Sequence, residues 1–204
     1  MPDVMRILLG LKILSRQFFP LAVVWHILFL IGIIALLAGW RPTRRQAGVV
    51  LTLPILSVSV LALATANIFN GLMFAALFLV LLILSARMPE EKVTTGWNIF
   101  ALSGVIMIAL GWFYPHFLFV KSLVPYLYGA PTGIVPCPTL AIVIGFTLLF
   151  NALKSRAWSL VLGFFGLFYG LFGAIRLGVS LDYGLVAGSL ILILVKLIRK
   201  VERE

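Results

Sequence analysis

Seven apolar runs, separated by short polar or basic segments, follow one another along this chain of 204 residues. Several of the runs are shorter than the ~20 residues that a helix perpendicular to a bilayer needs, so we expect their flanks to extend them. The pattern predicts an all-α fold, a polytopic membrane helix bundle with about seven transmembrane helices. The predicted spans are residues 19–39, 47–66, 71–86, 97–113, 138–153, 158–175 and 183–198.

The first eighteen residues differ, because their apolar and polar positions separate onto opposite faces of a helix. One face carries Val4, Ile7, Leu8, Leu11, Leu14 and Phe18, and the other carries Asp3, Arg6, Arg16 and Gln17. Such a helix either lies in the lipid interface or packs against the bundle, and the pattern does not choose between the two. We therefore divide the chain into an N-terminal amphipathic helix, residues 1–18, and a transmembrane bundle, residues 19–204.

Composition and charge agree with a membrane protein. The chain is 63% hydrophobic and 11% charged, whereas soluble domains carry about 25% charged residues. The formal net charge is +10, but the basic residues fall between apolar runs or at their ends. That distribution orients a protein in a membrane and makes no face for nucleic acid. We expect the lipid bilayer as a partner, with other membrane subunits or a second copy as further options.

The basic residues also predict an orientation. Eleven of them lie at one set of run ends and five at the other. Because cytoplasmic loops carry the excess of Lys and Arg, we expect the C-terminus in the cytoplasm and the protein in a bacterial inner membrane. Seven spans then place the N-terminus outside, where Arg6, Lys12 and Arg16 argue against it, so six spans remain an alternative.

Small residues recur at helical spacing in the last two runs. Gly163, Gly166, Gly170 and Gly173 share one face of the sixth run, and Gly184 and Gly188 stand four apart in the seventh. Small residues allow helix backbones to approach closely in lipid. We expect these two helices to pack on each other or on the fifth.

Polar side chains collect at the predicted outer end. Residues 114–136 are rich in Pro and aromatic side chains, which predicts a short helix and a loop folded over the bundle. We expect Arg176 and Asp182 to form an ion pair there. The candidate ligand-binding residues are Cys137, His116, Thr139, Asp182, Arg176 and Tyr126.

Cys137 is the only cysteine, and it stands between two prolines at the start of the fifth run. A thiol at that position is a soft-metal ligand, a nucleophile or a small side chain packed under the loop. His116 and Asp182 are possible base and orienting group for a nucleophile. Metal partners such as His26, His116 or Met107 lack diagnostic spacing, so the sequence names no metal and no cofactor.

The chain resembles a bacterial family of integral membrane proteins, about two hundred residues long with seven predicted spans, that is known only as a domain of unknown function. The resemblance rests on Tyr114-Pro115, on a Pro-Cys-Pro-Thr motif at residues 136–139 with Gly133 and Gly145 around it, and on residues 177–188. It implies the architecture and supplies no reaction, but it adds weight to Cys137 and Asp182. Leu140, Ile142, Val143 and Leu181 depart from the pattern, which puts a polar pathway along the fifth helix in doubt.

Three functions fit these observations. The first is a membrane protein that binds or passes a small neutral or soft solute near the outer face, because polar groups collect there under an aromatic, proline-rich cap. The second is a non-catalytic subunit or scaffold of a larger membrane complex, which a lipid-exposed glycine face would favour. The third, and the least favoured, is an intramembrane thiol enzyme, which close approach of Cys137 and His116 would support.

Overall fold

A computed structural model describes residues 3–95 and 99–201, the last six of these by backbone only. Within those ranges the fold is all-α and contains nine α-helices and no β-strand. The helices are α1 (Val4–Gln17), α2 (Phe19–Leu37), α3 (Arg44–Ala64), α4 (Ile68–Ala86), α5 (Ile99–Trp112), α6 (Tyr126–Gly129), α7 (Pro136–Leu149), α8 (Arg156–Leu171) and α9 (Asp182–Val201).

Each apolar run of the sequence contains one helix of the bundle, although the start of the fourth run, at Trp97, lies outside the described residues. Four helices are long and apolar enough to cross a membrane, namely α2, α3, α4 and α8 with the turn that extends it. The other three apolar helices, α5, α7 and the described apolar part of α9, are shorter. The architecture is therefore that of a helical membrane protein with four candidate spans.

Helix α7 lies at the centre of the fold. Every residue from Pro136 to Leu148 is buried, and the helix packs against α3, α5, α8 and α9. Its 14 residues extend over only about 21 Å at 1.5 Å per residue. Gly104 and Gly111 of α5 permit this packing, because a Cβ at either position would lie within 2.8 Å of the α7 backbone.

The predicted end of the fifth run was wrong. The fifth run was expected to end at Leu153, but α7 ends at Leu149, and residues Asn151–Lys154 form a turn with φ near +50°. Arg44 Nε donates to the Leu153 carbonyl at 2.8 Å and fixes this turn. In the sixth run α8 ends at Leu171, and Phe172–Arg176 continue as a π-helical turn. Turns of this kind occur often at functional sites.

The glycine face of the sixth run packs on α9, as predicted. A Cβ at Gly163, Gly166 or Gly170 would meet α9 atoms at 3.3 Å or less. Gly184 and Gly188 of α9 face α5 instead, against Leu110 and Met107. The described glycine faces are thus occupied within the chain.

The two ends of the bundle differ in chemistry. The basic end comprises residues 38–43, 87–95 and 150–155 with the end of α9, and it holds the ion pairs Arg44–Glu91 (3.2 Å) and Arg45–Glu90 (2.8 Å). We call the opposite end the cavity end; it comprises α1, residues 65–67, residues 113–135 and residues 177–181. The proline-rich segment folds over the cavity end with one short helix, α6, as the sequence indicated.

Helix α1 packs against the core of the bundle through Leu8, Leu11 and Leu14, and its Ser15 is fully buried. Met5, Leu9 and Ile13 form an exposed apolar stripe on its other side. The contact with the bundle is therefore formed, and the outward stripe is suited to lipid.

Candidate functional site

The cavity end contains a partly open cavity of ≈ 840 Å³. Its walls come from α1, from the turn between α3 and α4, from the start of α7, from the π turn and from the start of α9. Ligand pockets commonly measure about 300–1,000 Å³, so this one has the size of a binding site. The described residues that define its chemistry are Arg6, Asn67, Asn70, Cys137, Tyr169, Arg176 and Asp182.

Asp182 is the deepest charged group in this cavity. It is the first residue of α9 and is only 1% exposed. Its Oδ1 accepts a hydrogen bond from the Tyr114 hydroxyl at 2.7 Å, whereas its buried Oδ2 has no hydrogen-bond partner. A buried acceptor without a donor costs about 1–3 kcal/mol, which makes such an atom exceptional in a folded protein.

Gly173 in the π turn makes the room for this carboxyl group. A Cβ at residue 173 would collide with Oδ2 of Asp182, so no larger residue fits without displacing the carboxyl group. The π turn and the start of α9 therefore shape the floor of the cavity together.

Tyr114 holds the carboxyl group from the loop that follows α5. Its ring stacks on Phe117 with centroids 5.9 Å apart. Burial of the phenol, together with the nearby Cys137 and Asp182, raises the pKa of Tyr114 far above its usual range. The hydroxyl therefore keeps its proton and serves as the donor to Oδ1.

Cys137 and Asp182, both among the candidate ligand-binding residues of the sequence, line the same cavity. Pro136 occupies the first position of α7, where its missing N–H has no consequence, and places Cys137 second in the helix. The Cys137 thiol donates to the Tyr169 carbonyl at 3.8 Å, and it lies near the Asp182 carboxyl group. The thiol thus lines the cavity next to its carboxyl group.

Tyr169 connects two walls of the cavity. Its hydroxyl donates to Oδ1 of Asn70 at 2.9 Å, and its ring meets Phe74 edge-on with centroids 5.2 Å apart. Asn67 caps the start of α4 by accepting from the Asn70 backbone N–H at 3.3 Å. These contacts fix the relative position of α4 and α8 at the cavity.

The expected ion pair between Arg176 and Asp182 is not formed. In the described part of the chain both ion pairs lie at the basic end, and neither involves Arg176. The reason is geometric: Tyr114 takes Oδ1, and the π turn places Oδ2 against Gly173. Arg176 lines the same cavity as a separate cationic group.

Thr139 and Tyr126 hold the covering segment and do not line the cavity. Thr139 Oγ1 donates to the Val135 carbonyl at 2.7 Å and accepts from the Gly133 N–H at 2.8 Å. This anchors Gly133 at φ +78°, a conformation that glycine adopts easily. The Tyr126 hydroxyl accepts from the Leu118 N–H at 3.2 Å.

His116 also lies away from the cavity. Its ring meets Phe117 edge-on at 4.4 Å between centroids. Burial, and secondarily the charge of Lys12, lowers the pKa of His116. The other histidine, His26, contacts the carbonyls of Ala22 and Trp112 within the packed bundle. Within residues 3–95 and 99–201, no group of three His, Cys, Asp or Glu side chains is placed to hold a metal ion.

The structure therefore unites Cys137, Asp182 and Arg176 from the predicted set, and it adds Tyr114, Tyr169, Asn70 and Arg6. Tyr114 and Asn70 stand among the polar residues of the predicted outer end, which is a signal for both. Tyr169 lies within the sixth run, where the sequence predicted only helix packing through glycines. The sequence placed Arg6 on the polar face of α1 and gave no sign that it lines a site.

Comparison with known proteins adds no relative: no protein-family model, no curated protein and no solved structure matches the chain.

Proposed function

We propose that the chain is a multi-pass membrane protein that binds a small solute in the cavity at its outer end. The observation that carries this proposal is the unpartnered Oδ2 of Asp182, buried in the wall of a cavity of ≈ 840 Å³. A hydrogen-bond donor on a bound solute would supply what this oxygen lacks.

In this proposal the chain crosses the membrane seven times, with its C-terminus in the cytoplasm and the cavity on the outer side. It is supported by the basic residues of the basic end, including Arg41, Arg45 and Arg87, which fit a cytoplasmic surface. Helices α5, α7 and α9 complete the seven, with α7 buried at the centre of the bundle. A bacterial inner membrane and membership of the family with the Pro-Cys-Pro-Thr motif belong to the same proposal.

Binding fits the observations better than passage through the protein. Below Cys137 the next turns of α7 present Leu140, Ile142 and Ile144, each fully buried among apolar neighbours. A polar solute crossing that region would lose its hydrogen bonds without replacement. The solute is therefore held at the outer end, and a neutral or internally compensated net charge suits a site that carries both signs.

The two alternatives have weaker support. A scaffold role would be favoured by glycine faces that are free to contact partner helices. The glycines of α8 and α9 instead contact helices of the same chain. A thiol enzyme drew on His116 as a base for Cys137, and the His116 ring lies against Phe117. Neither arrangement favours these functions over solute binding.

The experiment uses two matched glycine-to-tryptophan substitutions. Gly10 lines the cavity and Gly32 lies in α2, and a Cβ at either position meets no atom within 4 Å. We expect native mass spectrometry of the protein, incubated with a total membrane extract, to show a bound species in the wild type and in Gly32→Trp. Gly10→Trp should lose that species because its indole fills the cavity. The proposal would be overturned if all three proteins carried the bound species in equal amounts, or if the wild type carried none.

A further inference from the structure

The cavity offers three different environments to one ligand. From them we infer that the solute is a zwitterionic amphiphile: an N–H donor faces Asp182, an anionic group faces Arg6 and Arg176, and an apolar tail leaves the cavity sideways toward lipid. This inference rests on the proposed function and names the class of ligand for the same site.

The donor requirement comes from Asp182. Its Oδ1 is taken by Tyr114, whereas its buried Oδ2 has no donor, so the carboxyl group has the capacity to accept one further strong hydrogen bond. An ammonium group fits this position better than a neutral donor, because a charge-assisted bond is about twice as strong as a neutral one. A quaternary ammonium group carries no N–H and cannot make that bond.

The anionic group is indicated by the cations around the same cavity. Arg6 comes from α1 and Arg176 from the end of the π turn, and both line the cavity outside the ion pairs of the basic end. The start of α4 adds the positive end of a helix dipole beside Asn67. The two guanidinium groups give the cavity a local positive charge that a phosphate or carboxylate on the ligand would face. Guanidinium groups bind both of these anions in a bidentate geometry.

The tail is indicated by aromatic residues that line the cavity and are also exposed on the surface of the bundle. Phe69, Phe168 and Phe172 line the cavity and are 59%, 45% and 40% exposed. The Phe69 and Phe168 centroids are 6.4 Å apart, so the two rings form one apolar edge between α4 and α8. In the proposed membrane orientation this edge faces lipid, and an acyl chain would continue from the cavity into the bilayer.

The test compares two single-chain phospholipids that differ only in three methyl groups. Lysophosphatidylethanolamine has an ammonium group with N–H donors, and lysophosphatidylcholine has none. We expect the detergent-purified full chain to bind the ethanolamine lipid at least ~10-fold more tightly, the ratio that one charge-assisted hydrogen bond supplies. Equal affinity for the two lipids would overturn the inference.

Two variants assign the binding to the named groups. Asp182→Asn keeps an oxygen for Tyr114 but loses the charge, and it should abolish the preference for ethanolamine over choline. Arg176→Gln changes a residue at the end of the π turn and should weaken both lipids alike while the preference persists. If Asp182→Asn does not fold, the ethanolamine-to-choline ratio of the wild type and the response of Arg176→Gln still decide. A retained preference in a folded Asp182→Asn, or unchanged affinities in Arg176→Gln, would count against the inference.

Soluble glycerophosphoethanolamine separates a lipid from a free metabolite. It carries the same head group without a tail, and we expect it to bind at least ~100-fold more weakly because the aromatic edge contributes nothing to it. Comparable binding of the free head group would overturn the amphiphile and leave a soluble zwitterion. If the cavity-filling variant loses a bound species but neither lipid binds preferentially, the proposed function stands and this inference fails.

Discussion

The hydrogen bond from Tyr114 to Asp182 predicts a measurable loss of stability in Tyr114→Phe. The substitution removes only the hydroxyl that donates to Oδ1 at 2.7 Å. Because Oδ2 already lacks a partner, the carboxyl group would then be buried with both oxygens unpaired. Hydrogen bonds to charged groups contribute about 1.5–3 kcal/mol, and we expect a loss of that size in the free energy of unfolding.

The assay is thermal unfolding of the detergent-solubilised protein. For a chain of this length, about 2–4 °C of Tm corresponds to each kcal/mol, so the expected decrease is roughly 3–12 °C. Tyr128→Phe is the matched control, because Tyr128 is 48% exposed and the substitution likewise removes one phenolic hydroxyl. A Tyr114→Phe protein that melts within ~1 °C of wild type, while the control does the same, would refute the role assigned to this bond.

A double-mutant cycle makes the same reasoning stricter. If the hydroxyl acts through the carboxyl group, then Tyr114→Phe should cost much less in a protein that already carries Asp182→Leu. The reason is that replacing both partners of a buried hydrogen bond by apolar groups leaves no orphaned atom. Additive losses in the double variant would show that Tyr114 stabilises the protein by packing alone.

Three further predictions concern packing, topology and pH. Gly170→Leu should destabilise the protein by ~1–3 kcal/mol, since even a Cβ there would lie 2.9 Å from an α9 side chain. Gly32→Leu is the control, because a Cβ at Gly32 meets no atom within 4 Å. Equal melting temperatures of the two variants would contradict the α8–α9 packing. Reporter fusions at Glu91 and at the C-terminus should agree with each other and oppose one at Pro131; a cytoplasmic signal at Pro131 would exclude the orientation. The pKa of His116 is lower in the folded than in the unfolded chain, so the unfolded chain binds the proton more tightly and stability should decrease as pH falls below about 6.5. His116→Gln should remove that component, and an unchanged pH dependence in the variant would show that the decrease arises elsewhere.

The hydrophobic pattern was sufficient to place one helix of the bundle in each apolar run. The physical reason is that an apolar segment in lipid needs an internal partner for every backbone polar group, which a helix supplies. The same logic placed the glycines of α8 against a neighbouring helix, since small residues at helical spacing have few other uses in a membrane. Cys137 and Asp182 were expected at the same end of the bundle because each stands among polar groups at the end of a predicted span. Local sequence therefore determined the helices, their small-residue faces and the end of the bundle that holds the polar groups.

Tertiary structure decided which polar groups meet, because that depends on where irregular backbone is held. The π turn places Gly173 against Asp182, and Tyr114 reaches the carboxyl group from a loop 68 residues away in the chain. That geometry separates Arg176 from Asp182, although six residues of sequence suggested a pair. Thr139, Tyr126 and His116 share the cavity end with Cys137, but their hydrogen bonds or ring contacts go to the covering segment. Sequence spacing fixes the height of a residue along a helix, whereas the direction of its side chain into a cavity is set by the packing of all the helices around it.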